Sequence, residues 1–346
     1  MKKNKFWLAA MAVTVSMASC SLEEVMEQPE PQAIGFSSFV GKPTRAVTEI
    51  VNPGSTGGGT PLSTFYVFGK YGDAAGGTYT NDVFSNTSVT VTATNTEIAT
   101  AQYWVPNKYY KFAAYSDGNN SLTTTDKVSF DENGHITITD YEAGDKDLIL
   151  AIPDEVQTGA TITEDNPDAV SLTFNHLLSQ VGFEFTNGFT NGYKVQITGL
   201  KINIPNKATY SKTSAYSWGA PNTNADKTYT VNGGDKFDSS ASKLSEYNFV
   251  IPQNNGSLKA EFTVTVYDNN DIQIIQKEFS DVSLATGTTT TPGSDNNVWT
   301  PGYKYKYTAT IDASVLDDVM FPIEFKVVAV EGWESSTGGN SNLPLN

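Results

Sequence analysis

Apolar and polar residues alternate with a period of two along much of the chain. Phe262, Val264 and Val266 are interleaved with Thr263, Thr265 and Tyr267. Tyr303, Tyr305, Tyr307, Ala309 and Ile311 are interleaved with Lys304, Lys306, Thr308 and Thr310. Successive side chains of a strand point to opposite faces, so this pattern predicts half-buried strands. Shorter apolar runs at 65–68, 109–115, 128–130, 135–138, 170–174, 181–185, 249–251 and 272–279 read the same way, and Ile323, Phe325, Val327 and Ala329 form a last strand. Residues 148–152 are almost wholly apolar, as expected of a strand buried on both faces. Asp131-Glu132-Asn133-Gly134 predicts a hairpin turn whose glycine takes positive φ. Residues 194–204 give two apolar stretches bent at Gly199 and stopped by Pro205, and 211–242 is a polar, glycine-rich stretch. No segment offers a long amphipathic helix; residues 175–180 fit one helical turn.

Many short strands with turn residues between them predict an all-β fold of antiparallel β-sandwiches. The pattern restarts after Asn187-Gly188 and Asn191-Gly192, which places a domain boundary near 186–193. The expected organisation is an N-terminal domain over 33–187, a C-terminal domain over 188–334 and a flexible tail over 335–346.

The first residues follow a different rule. Lys2, Lys3 and Lys5 precede an apolar run over 6–17 interrupted only by Thr14 and Ser16. Twelve residues suit an export signal and fall short of the ~20 that a spanning helix needs. The run ends in Met17-Ala18-Ser19-Cys20, which resembles a bacterial lipobox, and Cys20 is the sole cysteine of the 346 residues. The expectation is a signal peptide over 1–20, acylated Cys20 as the mature N-terminus, and attachment to the outer membrane through lipid. Residues 21–32 are acidic and proline-containing and read as a tether. Glu23 and Glu24, close behind the cysteine, resemble the surface-export signal of Bacteroides-lineage lipoproteins.

Composition narrows the function. A net charge of −16 argues against nucleic acid, because nothing would neutralise phosphates. With Cys20 committed to lipid, no disulfide staples the fold. The two histidines, His135 and His176, lack a second ligand at metal spacing. No phosphate loop, dinucleotide fingerprint or nucleophile elbow is present. Asp145-Lys146-Asp147 reads as a solvated turn, and Asp317-Asp318 as a chance pair in an acidic chain. Trp104, Trp218, Trp299 and Trp333 are of the type that stacks on sugars, although tryptophans of β-sandwiches usually pack inside. The sequence therefore carries no catalytic residues, no metal site and no cofactor.

One residue stands apart from this composition. Arg45 is the sole arginine, in Gly41-Lys42-Pro43-Thr44-Arg45-Ala46-Val47, a loop-like stretch. Lys42 is protected from trypsin-like cleavage by the following proline, whereas Arg45-Ala46 is a good site. Just before it, Ala33-Ile34-Gly35-Phe36-Ser37-Ser38-Phe39-Val40 reads as a strand with Ile34, Phe36 and Val40 on one face.

A lipidated cysteine, an acidic tether, an apolar strand and Thr-Arg-Ala together resemble precursors of the fimbrillin family, the Mfa-like type V pilins of the Bacteroides lineage. Further along, 103–115 is similar to the family's Trp…Phe-x-Ala-Tyr strand pair. Phe174-Asn175-His176-Leu177-Leu178-Ser179-Gln180-Val181, Trp299-Thr300-Pro301-Gly302-Tyr303-Lys304-Tyr305 and Val330-Glu331-Gly332-Trp333 resemble later family elements. The resemblance implies two transthyretin-like domains in tandem and a structural role for His176 at a bend between strands. It implies that 33–45 is a removable strand and loop, with Ile34, Phe36 and Val40 filling a groove until a surface arginine-specific protease cuts between Arg45 and Ala46. Strands from other fimbrial subunits would then fill the groove, and Ile323, Phe325, Val327 and Ala329 would be this chain's own donor. A stalk or tip role would support adhesion to a host or bacterial surface ligand. The alternative is a surface-anchored glycan-binding lipoprotein that is not polymerised.

Overall fold

The computed structural model describes residues 32–38, 49–50, 60–91, 96–118, 122, 126–162, 167–254, 256–284, 298–316 and 326–332. The early strands are β1 (Phe36–Ser38), β2 (Glu49–Ile50), β3 (Thr60–Pro61), β4 (Thr64–Gly72), β5 (Asn81–Val91), β6 (Thr96–Ile98) and β7 (Tyr109–Ser116). There follow β8 (Val128–Phe130), β9 (Ile136–Glu142), β10 (Ile149–Ala151), β11 (Val156–Gln157), β12 (Val170–Leu172) and β13 (Asn175–His176). The later strands are β14 (Ser179–Asn187), β15 (Lys194–Lys212), β16 (Tyr216–Trp218), β17 (Asn222–Thr228), β18 (Ser242–Leu244) and β19 (Asn248–Val250). The chain closes with β20 (Lys259–Tyr267), β21 (Gln273–Ser283), β22 (Tyr303–Ile311) and β23 (Lys326–Gly332). The fold is all-β, and its described helical content is short 3-10 turns.

Among the described residues, three larger sheets hold most of these strands, and β1-β12 and β2-β3 form two-stranded pairs. One runs β13-β10-β7-β4-β5-β6, with β11 also on β7. A second runs β18-β14-β22-β23, with β19 also on β14. The third, β21-β20-β15-β9-β8, reaches from the later strands back to the earlier ones, with β16 and β17 on β15. Most pairings are antiparallel, as the sequence predicts, but β14 lies parallel to β22 from Gln180↔Lys304 to Asn187↔Ile311. β1 is likewise parallel to β12.

Alternation drives this arrangement. In β22, Tyr305, Tyr307, Ala309 and Ile311 are buried while the residues between them are not. Burial removes apolar area from water at about 25 cal/mol per Å², which is the main force assembling the layers. β10, apolar throughout, is buried throughout. The hairpin at Asp131 forms as read, with Gly134 at φ +72° and Asp131 Oδ1 accepting the N–H groups of Asn133 and His135.

β15 departs from the sequence reading in an instructive way. Gly199 does bend it, at φ +63° with a register shift between Thr198 and Lys201, as a β-bulge requires. Pro205 does not stop it. On one edge β15 pairs with β20 as far as Ile202↔Ala260, then with β9 from Lys207↔Glu142. Pro205 sits in the gap between those partners, where a missing N–H costs no ladder bond to either of them. The strand therefore continues to Lys212 and joins two cores. Val195, Ile197, Leu200, Ile202 and Ile204 pack with Val181, Phe183, Phe185 and Tyr307. Ala208 and Tyr210 pack instead with Ile136, Tyr141, Leu148 and Leu177. β19 straddles the same divide, because Phe249 joins the second group and Val250 the first.

One further expectation is corrected. Residues 175–180 make no helical turn; they supply β13 and the start of β14. The polar stretch 211–242 holds β16, β17 and a 3-10 turn.

Candidate functional site

The segment carrying β1 lies between two other stretches of chain. On one side Ile34 N donates to Gln102 O at 2.7 Å and Trp104 N to Gln32 O at 3.1 Å, with Ala33 bridged antiparallel to Tyr103. On the other, Val170 N donates to Gly35 O at 2.9 Å, and Phe36, Ser37 and Ser38 pair with Val170, Ser171 and Leu172. Thr96 Oγ1 donates to Phe36 O at 2.7 Å. Both edges of this short strand are thus occupied.

Its side chains complete a core. Ile34 and Phe36 are 2% and 4% exposed, among Leu62, Phe65, Phe84, Trp104, Phe112 and Val170. The Phe36 ring lies 5.5 Å from that of Phe84, 5.8 Å from Phe112 and 6.3 Å from Phe65. Edge-on and tilted contacts of this kind add to the area term. The other residues expected to act with this strand, namely Val40, Arg45, Ala46 and Cys20, lie outside the described residues, as do Ile323, Phe325 and Trp333. Val327 and Ala329 belong to β23, which pairs with β22 at Val327↔Tyr307 and Ala329↔Lys306. The structure does not bring that segment to the β1 groove of its own chain.

The later sequence motifs converge on a second place, where the two cores meet. His176 Nδ1 lies 2.5 Å from Asp147 Oδ2. Gly302, at φ +78°, donates from its N–H to Leu178 O at 2.8 Å. Ser179 Oγ donates to Thr300 O at 2.7 Å, and Trp218 Nε1 to Leu177 O at 2.7 Å. The segment 174–181 and the segment 299–305 are therefore bonded to each other. Asp147 is fully buried, so the reading of 145–147 as a solvated turn is corrected for that residue. Burial pushes its carboxyl above the usual carboxylate range, and the adjacent His176 opposes that rise. Sequence patterning missed Asp147 because its neighbours Asp145 and Lys146 are polar; the one available signal was the purely apolar run that follows it.

The tryptophans divide. Trp104 and Trp299 are buried, and Trp299 Nε1 donates to Tyr307 Oη at 3.0 Å. Trp218 is half-buried against Tyr141 and Tyr210. Among the described residues no group of three or more His, Cys, Asp or Glu side chains is placed to hold a metal ion.

Comparison with known proteins follows the same line. No curated protein sequence matches the chain. Among solved structures, a candidate cell adhesion protein from Bacteroides uniformis is 16% identical, with 89% of this chain and 100% of that chain covered at a TM-score of 0.44. The fimbrial anchor protein Mfa2 from Porphyromonas gingivalis is 12% identical, with 82% and 96% covered at 0.35. The tip fimbrial protein Mfa3 from Porphyromonas gingivalis, with C-terminal truncation, is 10% identical, with 82% and 98% covered at 0.38. Likenesses this distant carry no weight of their own. A family model described as fimbrillin-like matches residues 44–327, most of the chain, and on that ground the chain belongs to the fimbrillin-like family.

Proposed function

We propose that this chain is a stalk or tip subunit of a cell-surface fimbria, exported as a lipoprotein through Cys20, matured by cleavage after Arg45 and assembled by strand exchange. Members of the family are structural rather than catalytic, and fimbrial membership places them at the cell surface. In this proposal the core around Phe183 and Ile202 belongs to one transthyretin-like domain, and the cores around Ala208 and around Phe36 belong to another in tandem with it, β15 being shared. Partners are other fimbrial subunits, an arginine-specific surface protease, and the outer membrane before maturation.

The observation that carries the reading is the position of β1. A short N-terminal strand with both edges occupied and two buried apolar side chains lies just upstream of the sole arginine. Once 33–45 departs, the backbone groups of Gln102, Trp104 and Val170 lose partners, and a groove lined by Phe65, Phe84 and Phe112 opens. An unpaired edge beside an apolar groove is a template for a strand of another chain. Backbone pairing then supplies affinity, and alternate side chains supply register.

The test is Arg45→Ala in the producing cell. Uncleaved lipoprotein is expected to reach the surface and remain outside the fimbria. Uncleaved chain incorporated into fimbriae at the wild-type level refutes maturation at Arg45, whereas a wild-type chain that stays uncleaved and absent from fimbriae leaves the anchored glycan-binding alternative.

A further inference from the structure

The core-facing row of β15 is apolar at Leu200, Ile202, Ile204, Ala208 and Tyr210, all buried. Asn206 interrupts that row while only 3% exposed, at the point where pairing with β20 has ended and pairing with β9 begins. Its Nδ2 donates to Ala143 O at 3.0 Å, whereas its Oδ1 is buried and finds no hydrogen-bond partner among the described residues. Native folds rarely leave such an atom unpaired without a reason.

The same carbonyl, Ala143 O, also accepts from Lys227 Nζ of β17. Two donors on one oxygen lie within about 6 Å of each other, twice a hydrogen-bond length. Lys227 is half-buried, and burial holds its ammonium below the usual lysine range, against the opposing pull of Glu142 and Asp145. A desolvated amine that gives up its proton gains a nucleophilic lone pair, and the carboxamide carbon of Asn206 is the electrophile beside it.

We propose that Lys227 and Asn206 become joined by an intramolecular isopeptide bond that ties β17 to β15. Nζ attacks Cγ of Asn206, the Cγ–Nδ2 bond breaks, and Nδ2 leaves as ammonia with a proton given up by Nζ. The product is a secondary amide; nothing is oxidised or reduced, and no co-reactant is consumed. Glu142 and Asp145 are the carboxylates that act electrostatically on Lys227, and they can carry the proton from one nitrogen to the other. Folding assembles the reactants, because the pairing of β15 with β17 and the shared Ala143 carbonyl bring the two side chains together.

A second lysine and asparagine on these strands are placed differently. Lys201 and Asn203 both bond to Asp226 at the exposed surface, and Asn224 satisfies the Asn203 oxygen. Only the buried pair combines a desolvated amine with an unsatisfied amide. The bond would also supply what the sequence of β17 lacks. That strand has no buried side chain and is held by backbone pairing, and a chain with one cysteine has no internal disulfide to fasten it. Closing 206–227 into a ring restricts the unfolded chain as a disulfide does, and reductants leave it intact.

The test is trypsin digestion of the folded full-length chain under reducing conditions, read by mass spectrometry. Residues 202–207 should appear joined to 213–236, lighter by one ammonia than the two peptides together, with the cut after Lys227 blocked. Lys227→Arg and Asn206→Ala should each abolish the joined species while far-UV circular dichroism keeps its strand spectrum. If a variant fails to fold, the wild-type digest decides alone. Separate 202–207 and 213–227 peptides of unaltered mass from the folded wild-type chain overturn the inference. Asn206 recovered as aspartate beside a free Lys227 overturns it as well.

Discussion

Phe36→Ala in the uncleaved chain is the sharpest probe of what β1 contributes. A phenylalanine buries about 150–250 Å², and at about 25 cal/mol per Å² full burial is worth roughly 4–6 kcal/mol, an upper estimate because the unfolded chain is itself partly collapsed. Phe36 is 4% exposed and touches three aromatic rings, so nearly the whole term applies. The walls of its seat are β4, β5 and β7 of one hydrogen-bonded sheet, which limits collapse into the void. The expected cost is about 3–5 kcal/mol, in the range of phenylalanine truncations in rigid cores. Urea titration of the folded chain, followed by tryptophan fluorescence, reads it as a fall in midpoint at unchanged slope. Ala33→Ser, at an exposed position just upstream of β1, should change stability by less than about 0.5 kcal/mol. A Phe36→Ala loss below about 1 kcal/mol would mean that β1 is only loosely seated, and the groove argument would collapse.

Two other predictions concern the meeting place of the cores. His176→Ala leaves the buried Asp147 carboxylate without its ion-pair partner and should cost about 3–5 kcal/mol near neutral pH. The sign with pH follows from burial. The folded state holds the Asp147 proton more tightly than the unfolded state does, so this group's contribution is full below the ordinary carboxylate range and is lost as pH rises through the folded value. His176 opposes that loss, so the variant's deficit should shrink toward pH 4; a deficit independent of pH contradicts the pairing. Gln180→Met should raise stability by about 1–3 kcal/mol, because both side-chain polar atoms of Gln180 are buried and find no hydrogen-bond partner among the described residues. A fall in the thermal midpoint would show that the amide is satisfied by a buried water.

How much of this was legible depended on whether one face of a segment meets water. β20 and β22 alternate apolar and polar residues, and their burial follows the letters except at the buried Thr265. β17 defeats that reading. Its residues Asn222-Thr223-Asn224-Ala225-Asp226-Lys227-Thr228 are exposed or half-exposed, and it is held by backbone pairing to β15, which leaves no hydrophobic signature. Pro205 is normally a terminator, and only the gap between β20 and β9 makes it harmless, a fact of tertiary arrangement that the local sequence does not carry. The Ile34 and Phe36 positions were readable because a two-residue period survives even in a very short strand. Thr96 was not, because a threonine that donates to Phe36 O looks like any other threonine in a polar run. The parallel pairing of β14 with β22 spans more than a hundred residues of chain, and no local pattern encodes such a partner.

The central claim is that β1 is a removable strand seated in a groove that another chain can fill. Limited digestion of the folded, full-length chain with a protease that cuts after arginine and lysine tests it most directly. N-terminal sequencing of the first large product should give Ala46, because the sequence around Arg45 reads as an extended loop whereas lysines such as Lys304 and Lys306 lie on a paired strand. The fragment ending at Arg45 should at first co-elute with the body, since cutting the loop breaks none of the bonds to Gln102, Trp104 or Val170. Oligomers should then appear slowly by size exclusion as the fragment is lost. Cleavage at body lysines with Arg45 intact, or a cut chain that sheds its fragment and stays monomeric with every fimbrial subunit offered, would contradict the account.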